Sequence, residues 1–210
     1  MTPEQLKEYY QMLFEQHGDS PASVQHVSRS AQNIRFKIFQ KYIKPQSSIV
    51  DLGCGLADFL VFLRQQGLTG EYLGCDFVPE FIFNNLTKFK QDMTCDFQKL
   101  DLINDEYPKG YDYLVMSGIF NNQLNCNEQF LYQTIEKAFH VANKGVIFNA
   151  LSSYVEYQDD ALFYVDPLQV FSHIKTHISP YVLLKHDYIT KENGFPYEFT
   201  IVVNKEGELP

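Results

Sequence analysis

Apolar residues recur with a helical period at the start of this chain. Five of them are spaced three and four residues apart: Leu6, Tyr9, Tyr10, Leu13 and Phe14. That spacing predicts a helix over residues 3–17, and a second helix is predicted over about 23–42, before Pro45. Neither helix belongs to a strand–helix repeat. We therefore expect residues 1–45 to form a helical cap and residues 46–210 to form a sheet core, within one domain.

From residue 48 onward, short strand-like runs alternate with helix-like runs. Five strands are predicted, at residues 48–53, 71–77, 96–102, 111–118 and 145–151. Helices are predicted between most of them, at residues 57–66, 79–90 and 127–142. Strands that alternate with helices imply right-handed crossovers and a parallel sheet. The continuously apolar runs "LVM" and "VIF" are typical of strands that are covered on both faces.

The end of the chain has a different pattern. A helix is predicted from the Asp-Pro pair at residue 166 to about His177. Two further strands, over residues 181–188 and 197–205, are joined by a short glycine-containing segment that is typical of a hairpin. The expected fold is α/β, a doubly wound and mostly parallel seven-stranded sheet with an antiparallel C-terminal hairpin strand.

Composition and charge narrow the classes of partner. The 210-residue chain carries a net charge of −9, which disfavours binding to nucleic acid. It has no apolar stretch of membrane-spanning length and no signal-peptide pattern at its start. Its four cysteines form no C-x-x-C pair, which disfavours a zinc knuckle or a thioredoxin-like site. Cys54, Cys75 and Cys95 lie in apolar surroundings, as expected of buried thiols in a reducing cytoplasm. We expect a cytoplasmic protein without a nucleic-acid or membrane partner.

The stretch "SIVDLGCGLADF" places two glycines, Gly53 and Gly55, between a predicted strand and a predicted helix. Glycine lets the backbone approach a ligand closely, and the helix start presents free N–H groups. This arrangement suits an anionic or carboxylate-bearing ligand. The dinucleotide fingerprint G-x-G-x-x-G would need a third glycine where Asp58 stands. An acid at that position disfavours a pyrophosphate.

Acidic residues end or nearly end three successive predicted strands. Asp51 precedes the first glycine and suits an ammonium group or ribose hydroxyls. Asp76 ends the second strand, 21 residues after Gly55, where an acid commonly accepts hydrogen bonds from ribose hydroxyls. Asp101, with Asp105 as a competitor, is placed to accept from an adenine amine. A ligand with an ammonium group, a ribose and an adenine but no phosphate fits this set, and S-adenosylmethionine is such a ligand.

The chain resembles the class I S-adenosylmethionine-dependent methyltransferases over about residues 24–205. "DLGCGLADF" resembles the family's first motif, "LGCDFVPEFI" its second, "KLDL" its third and "YDYLVMSGIF" its fourth. Ala57 stands at the third glycine of the first motif, which is a mild departure. The segments "HGDSP", "SGIFN", "LSSY" and "LFYVDP" are similar to a group of bacterial methyltransferase-like proteins of small-molecule type whose substrate is not identified.

The resemblance implies S-adenosylmethionine as cofactor and a set of residues around it. Asp51, Gly53 and Gly55 would face its methionine part, Asp76 the ribose, Phe77 a face of the adenine, Asp101 and Leu102 the adenine edge, and Ser117 the methionine backbone. Arg35 is the candidate for the methionine carboxylate, and a surface salt bridge is the alternative for it.

The acceptor side is less defined than the cofactor side. The hypothesis is methyl transfer to O or N of a small molecule, with six candidate acceptor residues: Tyr10, Phe120, Asn121, Asn149, Tyr154 and Tyr164. Asn121 and Asn149 are expected to point toward the methyl group, and Tyr154 is a candidate lid residue. For the aromatic members, ordinary core packing is the alternative.

The sequence identifies no catalytic base. His186 lies beside Asp187, but adjacent strand residues point to opposite faces and do not form a dyad by themselves. His173 and His177 are four apart on one predicted helix, which fits either a metal edge or, more readily, a solvated face.

Other functions of the same fold stay open. "SGIF" stands where enzymes that methylate exocyclic base amines carry an N/D-P-P-Y/F run, which disfavours a nucleic-acid substrate. The alternatives to methyl transfer are transfer of the cofactor's aminocarboxypropyl group and a non-catalytic cofactor-binding module.

Overall fold

The computed structural model describes residues 1–25, 29–191 and 194–207. Six α-helices lie within them: α1 Pro3–His17, α2 Arg29–Gln40, α3 Asp58–Gln65, α4 Pro79–Lys88, α5 Asn127–Val141 and α6 Pro167–His177. Eight strands accompany them: β1 Ile49–Leu52, β2 Tyr72–Asp76, β3 Cys95–Lys99, β4 Tyr113–Met116, β5 Gly145–Ser152, β6 Tyr164–Val165, β7 Val182–Lys185 and β8 Glu198–Asn204. A short 3₁₀ turn covers Pro21–Val24.

The strands form one sheet in the order β3-β2-β1-β4-β5-β8-β7, with β6 paired to β5 off this path. Strands β1 to β5 pair in parallel, and β8 is antiparallel to both β5 and β7. The predicted mostly parallel seven-stranded sheet with an antiparallel hairpin strand is confirmed. The two-residue strand β6, which pairs with Leu151 and Ser152, was not predicted.

The predicted elements differ from the observed ones mainly at their ends. The helix predicted over 23–42 is α2, preceded by the 3₁₀ turn, and residues 26–28 lie outside the described part of the chain. The predicted hairpin connection likewise contains residues 192 and 193, which are outside it. The first and last hydrogen bonds of a helix or strand depend on the segments that pack beside it. The ends of an element are therefore harder to predict from the sequence than its centre.

Helices cover both faces of the sheet. Leu114 and Met116 of β4 belong to one apolar cluster, and Tyr113 and Val115 belong to the cluster on the opposite face. Every residue of β1, β4 and β5 is buried. This explains the continuously apolar strand sequences, because a strand covered on both faces has no solvent side.

The sheet order places a crevice above the middle of the sheet. The chain runs outward through β1, β2 and β3 and returns to the other side of β1 as β4. At such a switch point the loops after adjacent strands lead in opposite directions and leave a crevice at the carboxyl ends. The ends of β1, β2 and β4 therefore form the floor on which the predicted site residues meet.

Helix α1 crosses one side of this crevice. Its start is fixed by a capping box, in which Gln5 N donates to Thr2 Oγ1 at 3.2 Å and Thr2 N donates to Gln5 Oε1 at 2.9 Å. The Phe14 ring packs on the Phe81 ring of α4, with centroids 5.4 Å apart. At the other end, Asn125 N donates to the Met1 carbonyl at 3.2 Å. Helix α1 thus links the segment after β4 to α4.

Two further features concern the whole fold. Among the described residues no helix is both long enough and apolar enough to cross a membrane. The four cysteines are free thiols, and Cys54 and Cys75 are buried beside the glycine loop.

Candidate functional site

A cavity of about 380 Å³ lies at the carboxyl ends of the central strands. This volume is in the range of small-molecule sites. Eleven of the fifteen predicted site residues line it: Tyr10, Arg35, Asp51, Gly53, Gly55, Asp76, Phe77, Asp101, Leu102, Ser117 and Asn121. The structure therefore brings together every predicted cofactor residue and two of the six predicted acceptor residues.

The glycine loop has a backbone conformation that favours glycine. Gly53 and Gly55 have φ values of +76° and +52°, and a Cβ on Gly53 would collide with the Ile119 side chain. Ala57, at the third-glycine position, has a φ of +59° and is fully buried. The mild departure in the first motif is thus a left-handed alanine directly before α3.

Both polar groups of Gly55 are held by side chains. Its N–H donates to Asp76 Oδ2 at 2.9 Å, and its carbonyl accepts from Asn85 Nδ2 at 2.7 Å. Asn85 is fully buried on α4, and the sequence analysis missed it. The signal was present, because Asn85 continues the buried face that Phe81 and Ile82 begin. The loop conformation therefore depends on β2 and α4 together.

Two buried carboxylates face the cavity. Asp51 accepts a hydrogen bond from the Tyr72 hydroxyl at 2.6 Å. Burial raises the pKa of Asp51 to about 7, although the Tyr72 hydrogen bond opposes the rise. Burial also raises the pKa of Asp76 to about 6, against backbone hydrogen bonds that include those from Val78 and Gly55. Such carboxylates favour a ligand that brings positive charge or hydrogen-bond donors.

Asp101 rather than Asp105 lines the cavity. Asp101 accepts from the Ile103 N–H at 2.9 Å and from Asn104 Nδ2 at 2.8 Å. Partial burial raises the pKa of Asp101, but these hydrogen bonds outweigh that effect and lower it. Asp105 is exposed and accepts from the Asp101 N–H at 2.8 Å, so it shapes the turn.

Two residues that line the cavity each have a buried side-chain oxygen without a hydrogen-bond partner among the described residues. They are Ser117 Oγ and Asn121 Oδ1, both just after β4. A buried polar atom without a partner costs free energy, which a ligand with a matching group would recover if the side chain turned toward it. These atoms, the carboxylates and the glycine loop fit S-adenosylmethionine, which has an ammonium group, ribose hydroxyls and an adenine amine to donate.

The sequence matches no protein-family model and no curated protein. Solved structures with the same fold are numerous. One is the magnesium protoporphyrin IX methyltransferase of Synechocystis PCC 6803 with bound S-adenosylhomocysteine, at a TM-score of 0.63 and 12% identity over 85% of this chain and 83% of that chain. Another is phosphoethanolamine N-methyltransferase 1 of Haemonchus contortus, at a TM-score of 0.66 and 14% identity over 100% of this chain and 52% of that chain. The chain has the class I methyltransferase fold.

The class I methyltransferase fold does not by itself select an acceptor. A small RNA methyltransferase also matches, with a TM-score of 0.65 and 14% identity over 85% of this chain and 26% of that chain. The matched proteins thus carry names that refer to a porphyrin, a phospho-amine and an RNA. The acceptor has to be argued from the side chains of this chain.

Arg35 lines the cavity and forms an ion pair. The pair is buried, whereas the alternative considered from the sequence was a salt bridge on the surface. The Arg35 Nε lies 2.9 and 2.8 Å from the two carboxylate oxygens of Glu198 on β8. Arg35 is 7% exposed and Glu198 is 1% exposed. Burial raises the pKa of Glu198, and the adjacent guanidinium opposes that rise. The sequence analysis missed Glu198, a lone charged residue within a strand of apolar pattern.

Tyr10 lies in the cavity wall with its hydroxyl fully engaged. The hydroxyl donates to Gln25 Oε1 at 2.9 Å and accepts from Asn122 Nδ2 at 3.0 Å. Burial raises the pKa of Tyr10 further above its ordinary value. At neutral pH this tyrosine is therefore a neutral hydrogen-bonding bridge between α1, the 3₁₀ turn and the segment after β4.

Two of the predicted acceptor residues lie beneath the cavity. Phe120 is 1% exposed and packs against the rings of Phe130 and Phe148, at 5.6 and 5.7 Å between centroids. Asn149 is fully buried on β5, and its Oδ1 accepts from the Gly118 N–H at 2.9 Å. Asn149 therefore supports the turn after β4 rather than facing the cavity.

The two remaining residues lie outside the cavity lining. Tyr154 is 54% exposed, and its ring stacks on His186 with centroids 6.3 Å apart. The Tyr164 hydroxyl accepts from the Asp159 N–H at 3.3 Å. The spacing of apolar residues along the sequence cannot predict the surroundings of these two tyrosines. Their surroundings depend on how the loop after β5 packs against segments that are distant in the sequence.

The structure also shows the surroundings of three histidines that the sequence analysis considered, His173, His177 and His186. Asp187 accepts from Lys185 Nζ at 2.6 Å rather than from His186. On α6, the ring centroids of His173 and His177 are 4.8 Å apart. The Tyr132 ring packs on His173, with 4.1 Å between the two centroids. Across the described ranges, no group of three His, Cys, Asp or Glu side chains is arranged to hold a metal ion.

Proposed function

We propose that this protein is a methyltransferase that uses S-adenosylmethionine to methylate an oxygen or nitrogen of a small molecule. One observation carries the proposal. Asp51, Asp76 and Asp101, from the ends of three adjacent parallel strands or just after them, line a single cavity together with the glycine loop. The three carboxylates provide the hydrogen-bond acceptors that an ammonium group, a ribose and an adenine amine require.

We assign the cofactor residues as follows. Asp76 binds the ribose hydroxyls, Phe77 packs on the adenine, and Asp101 with Leu102 meets the adenine edge. Asp51 and Ser117 face the methionine amino group, beside Gly53 and Gly55. Arg35 binds the methionine carboxylate through its Nη groups, because its Nε is held by Glu198.

The chain's own contribution to the reaction is alignment and exclusion of water. When bound, S-adenosylmethionine supplies a methyl group that is already activated as part of a sulfonium. Helix α1 closes one wall of the cavity through Tyr10, and Asn121 projects into it from the turn after β4. Holding two reactants in line is worth about 7–11 kcal/mol in favourable cases. We propose Tyr10 and Asn121 as acceptor-side residues, and Asn149 as the support of the Asn121 turn.

The charge of the chain supports a small acceptor over a nucleic acid. A net charge of −9 and four cavity carboxylates, Asp51, Asp58, Asp76 and Asp101, oppose the approach of a polyanion. The matched small RNA methyltransferase shows that the fold alone does not exclude RNA, so the argument rests on charge.

The test combines binding with product mass. Calorimetry is expected to show binding of S-adenosylhomocysteine and none of NAD, with Asp76→Ala as the weakened control. Incubation with S-adenosylmethionine and a library of small alcohols and amines is expected to give a product heavier by one CH₂ unit. A product that carries an aminocarboxypropyl group would instead establish the alternative transfer. Binding of the cofactor without any product across the library would favour a non-catalytic module.

A further inference from the structure

We infer that Lys137 of α5 is a positioning residue, which fixes the turn over residues 101–105 so that this turn can recognise the edge of the cofactor's adenine. The inference rests on the proposed function and deepens its cofactor side. Lys137 is not among the residues that line the cavity, and the cofactor assignment above does not use it. Its side chain reaches the turn from 35 positions further along the chain than Leu102.

The Lys137 ammonium group holds the turn by its backbone. Lys137 Nζ donates to three carbonyls, those of Leu102 at 3.1 Å, Ile103 at 3.0 Å and Asp105 at 3.3 Å. An ammonium group has three N–H donors, so each of them is used on this turn. Nζ also lies 4.9 Å from the centroid of the buried Tyr107 ring, which adds a cation–π contact. The turn is therefore fixed relative to α5.

The peptide group between Leu102 and Ile103 is held on both of its edges. The Leu102 carbonyl accepts a second hydrogen bond, from the Tyr107 hydroxyl at 2.9 Å. Two hydrogen bonds are the capacity of a carbonyl oxygen. On the opposite edge, the Ile103 N–H donates to Asp101 Oδ1 at 2.9 Å. Rotation of this peptide group would break the bonds to Lys137, to Tyr107 and to the Asp101 carboxylate together.

The preceding peptide group leaves one backbone donor free. The Asp101 carbonyl accepts from the Asp105 N–H at 2.9 Å, and the peptide bond is trans. The C=O and N–H of a trans peptide point in opposite directions, so the Leu102 N–H points away from Asp105. It donates to no other described residue, and both Asp101 and Leu102 line the cavity. The turn thus offers a carboxylate acceptor and an N–H donor on adjacent residues.

An acceptor beside a donor distinguishes adenine from a 6-oxo purine. Adenine has a donor at its 6-amino group and an acceptor at N1, whereas hypoxanthine has an acceptor at O6 and a donor at N1. Although partial burial raises the pKa of Asp101, its hydrogen bonds and the Lys137 ammonium lower it overall, so the carboxylate is ionised and only accepts. Discrimination requires that the Asp101 carboxylate and the Leu102 N–H keep their positions, which the Lys137 contacts provide.

The test compares the binding of S-adenosylhomocysteine and of S-inosylhomocysteine, its 6-oxo analogue, by isothermal titration calorimetry. We expect the wild-type protein to bind S-adenosylhomocysteine at least about tenfold more tightly, because the analogue mismatches both polar groups. Lys137→Met keeps the length of the side chain but removes its three donors. It should weaken S-adenosylhomocysteine about tenfold and reduce the preference to less than about threefold, since a loosened turn can adapt to either purine. Lys99→Met, at the exposed end of β3, removes the same charge close to the turn and should change neither value.

The outcomes separate this inference from the proposed function. An unchanged preference in folded Lys137→Met, whether or not both affinities fall, overturns the inference, because the lysine would then only stabilise the fold. If that variant does not fold, Lys137→Gln, which keeps an amide donor at shorter reach, decides by the same criterion with a smaller expected loss of preference. A wild-type protein that binds both ligands equally overturns the inference and leaves the proposed function standing. A wild-type protein that binds neither ligand overturns the proposed function and, with it, this inference.

Discussion

The Asp76 carboxylate accepts a hydrogen bond from the Gly55 N–H at 2.9 Å, which ties the end of the second strand to the glycine loop. The two residues lie 21 positions apart and line the same cavity. Asp76 therefore has two tasks. It holds the loop, and in the proposed complex it binds the ribose.

Asp76→Ala is expected to weaken binding of S-adenosylhomocysteine at least about tenfold, because each charge-assisted hydrogen bond contributes about 1.5–3 kcal/mol. Isothermal titration calorimetry measures the change. Asp160→Ala is the matched control, since Asp160 is exposed. Unchanged affinity in the Asp76 variant would remove the ribose from this position.

Asn85→Leu is expected to weaken cofactor binding as well, although Asn85 does not line the cavity. The substitution leaves the Gly55 carbonyl without its 2.7 Å hydrogen bond and costs about 1–3 kcal/mol of stability. The control is Asn84→Leu on the same helix, whose side-chain nitrogen has no partner among the described residues. Calorimetry on both variants, at a temperature where both are folded, tests the prediction. Equal affinity would show that the loop does not need Asn85.

The free protein is expected to lose stability as pH rises from about 4 to 7. Asp51 and Asp76 have folded-state pKa values of about 7 and about 6, above the unfolded value of about 3.9. The folded state then binds more protons than the unfolded state in this window, so the free energy of unfolding decreases as pH increases.

Cofactor affinity should change in the opposite direction, because the ionised carboxylates bind its donors better. Melting temperatures and dissociation constants at about pH 5, 6 and 7, inside the window that these pKa values set, measure both trends. Asp51→Asn is the control and should reduce both trends to the part that Asp76 contributes. A variant that keeps the full pH dependence would assign it to other groups.

Glu198→Ala is expected to destabilise the protein by about 3–5 kcal/mol, because it leaves the Arg35 guanidinium buried without its partner. Replacing both residues, as in Arg35→Met with Glu198→Leu, should recover most of that loss. Urea denaturation of Arg35→Met, of Glu198→Leu and of the double variant measures the coupling. Additive losses would mean that the pair is not coupled, contrary to its 2.8 Å contact.

Tyr10→Phe is expected to cost about 1–2 kcal/mol of stability, since Asn122 Nδ2 and Gln25 Oε1 each lose a hydrogen-bond partner. Denaturant unfolding measures this cost. Tyr9→Phe is the control on the same helix. If the two variants unfold alike, α1 is not held by the Tyr10 hydroxyl.

Local pattern was sufficient for the elements and for bringing the residues predicted for the cofactor to one cavity. The alternation of strands with helices predicted the parallel sheet, and the hairpin pattern predicted the antiparallel strand β8. Gly53, Gly55 and Asp76 were identified because a strand end, a tight turn and a helix start lie within a few residues of each other. Such features depend on backbone geometry and local hydrogen bonds, which nearby residues determine.

The surroundings of the residues predicted for the acceptor depended on tertiary structure. The pairing of Arg35 with Glu198 joins residues 163 positions apart, and no periodicity in either segment indicates it. Asn149 and Tyr154 are both polar residues near the end of the fifth strand, yet one is fully buried and the other is 54% exposed. The sequence by itself therefore determined the sheet, the glycine loop and the three acids that line the cavity. Only the packed fold decided which of the predicted acceptor residues line the cavity, because burial and hydrogen-bond partners depend on segments that meet from distant parts of the chain.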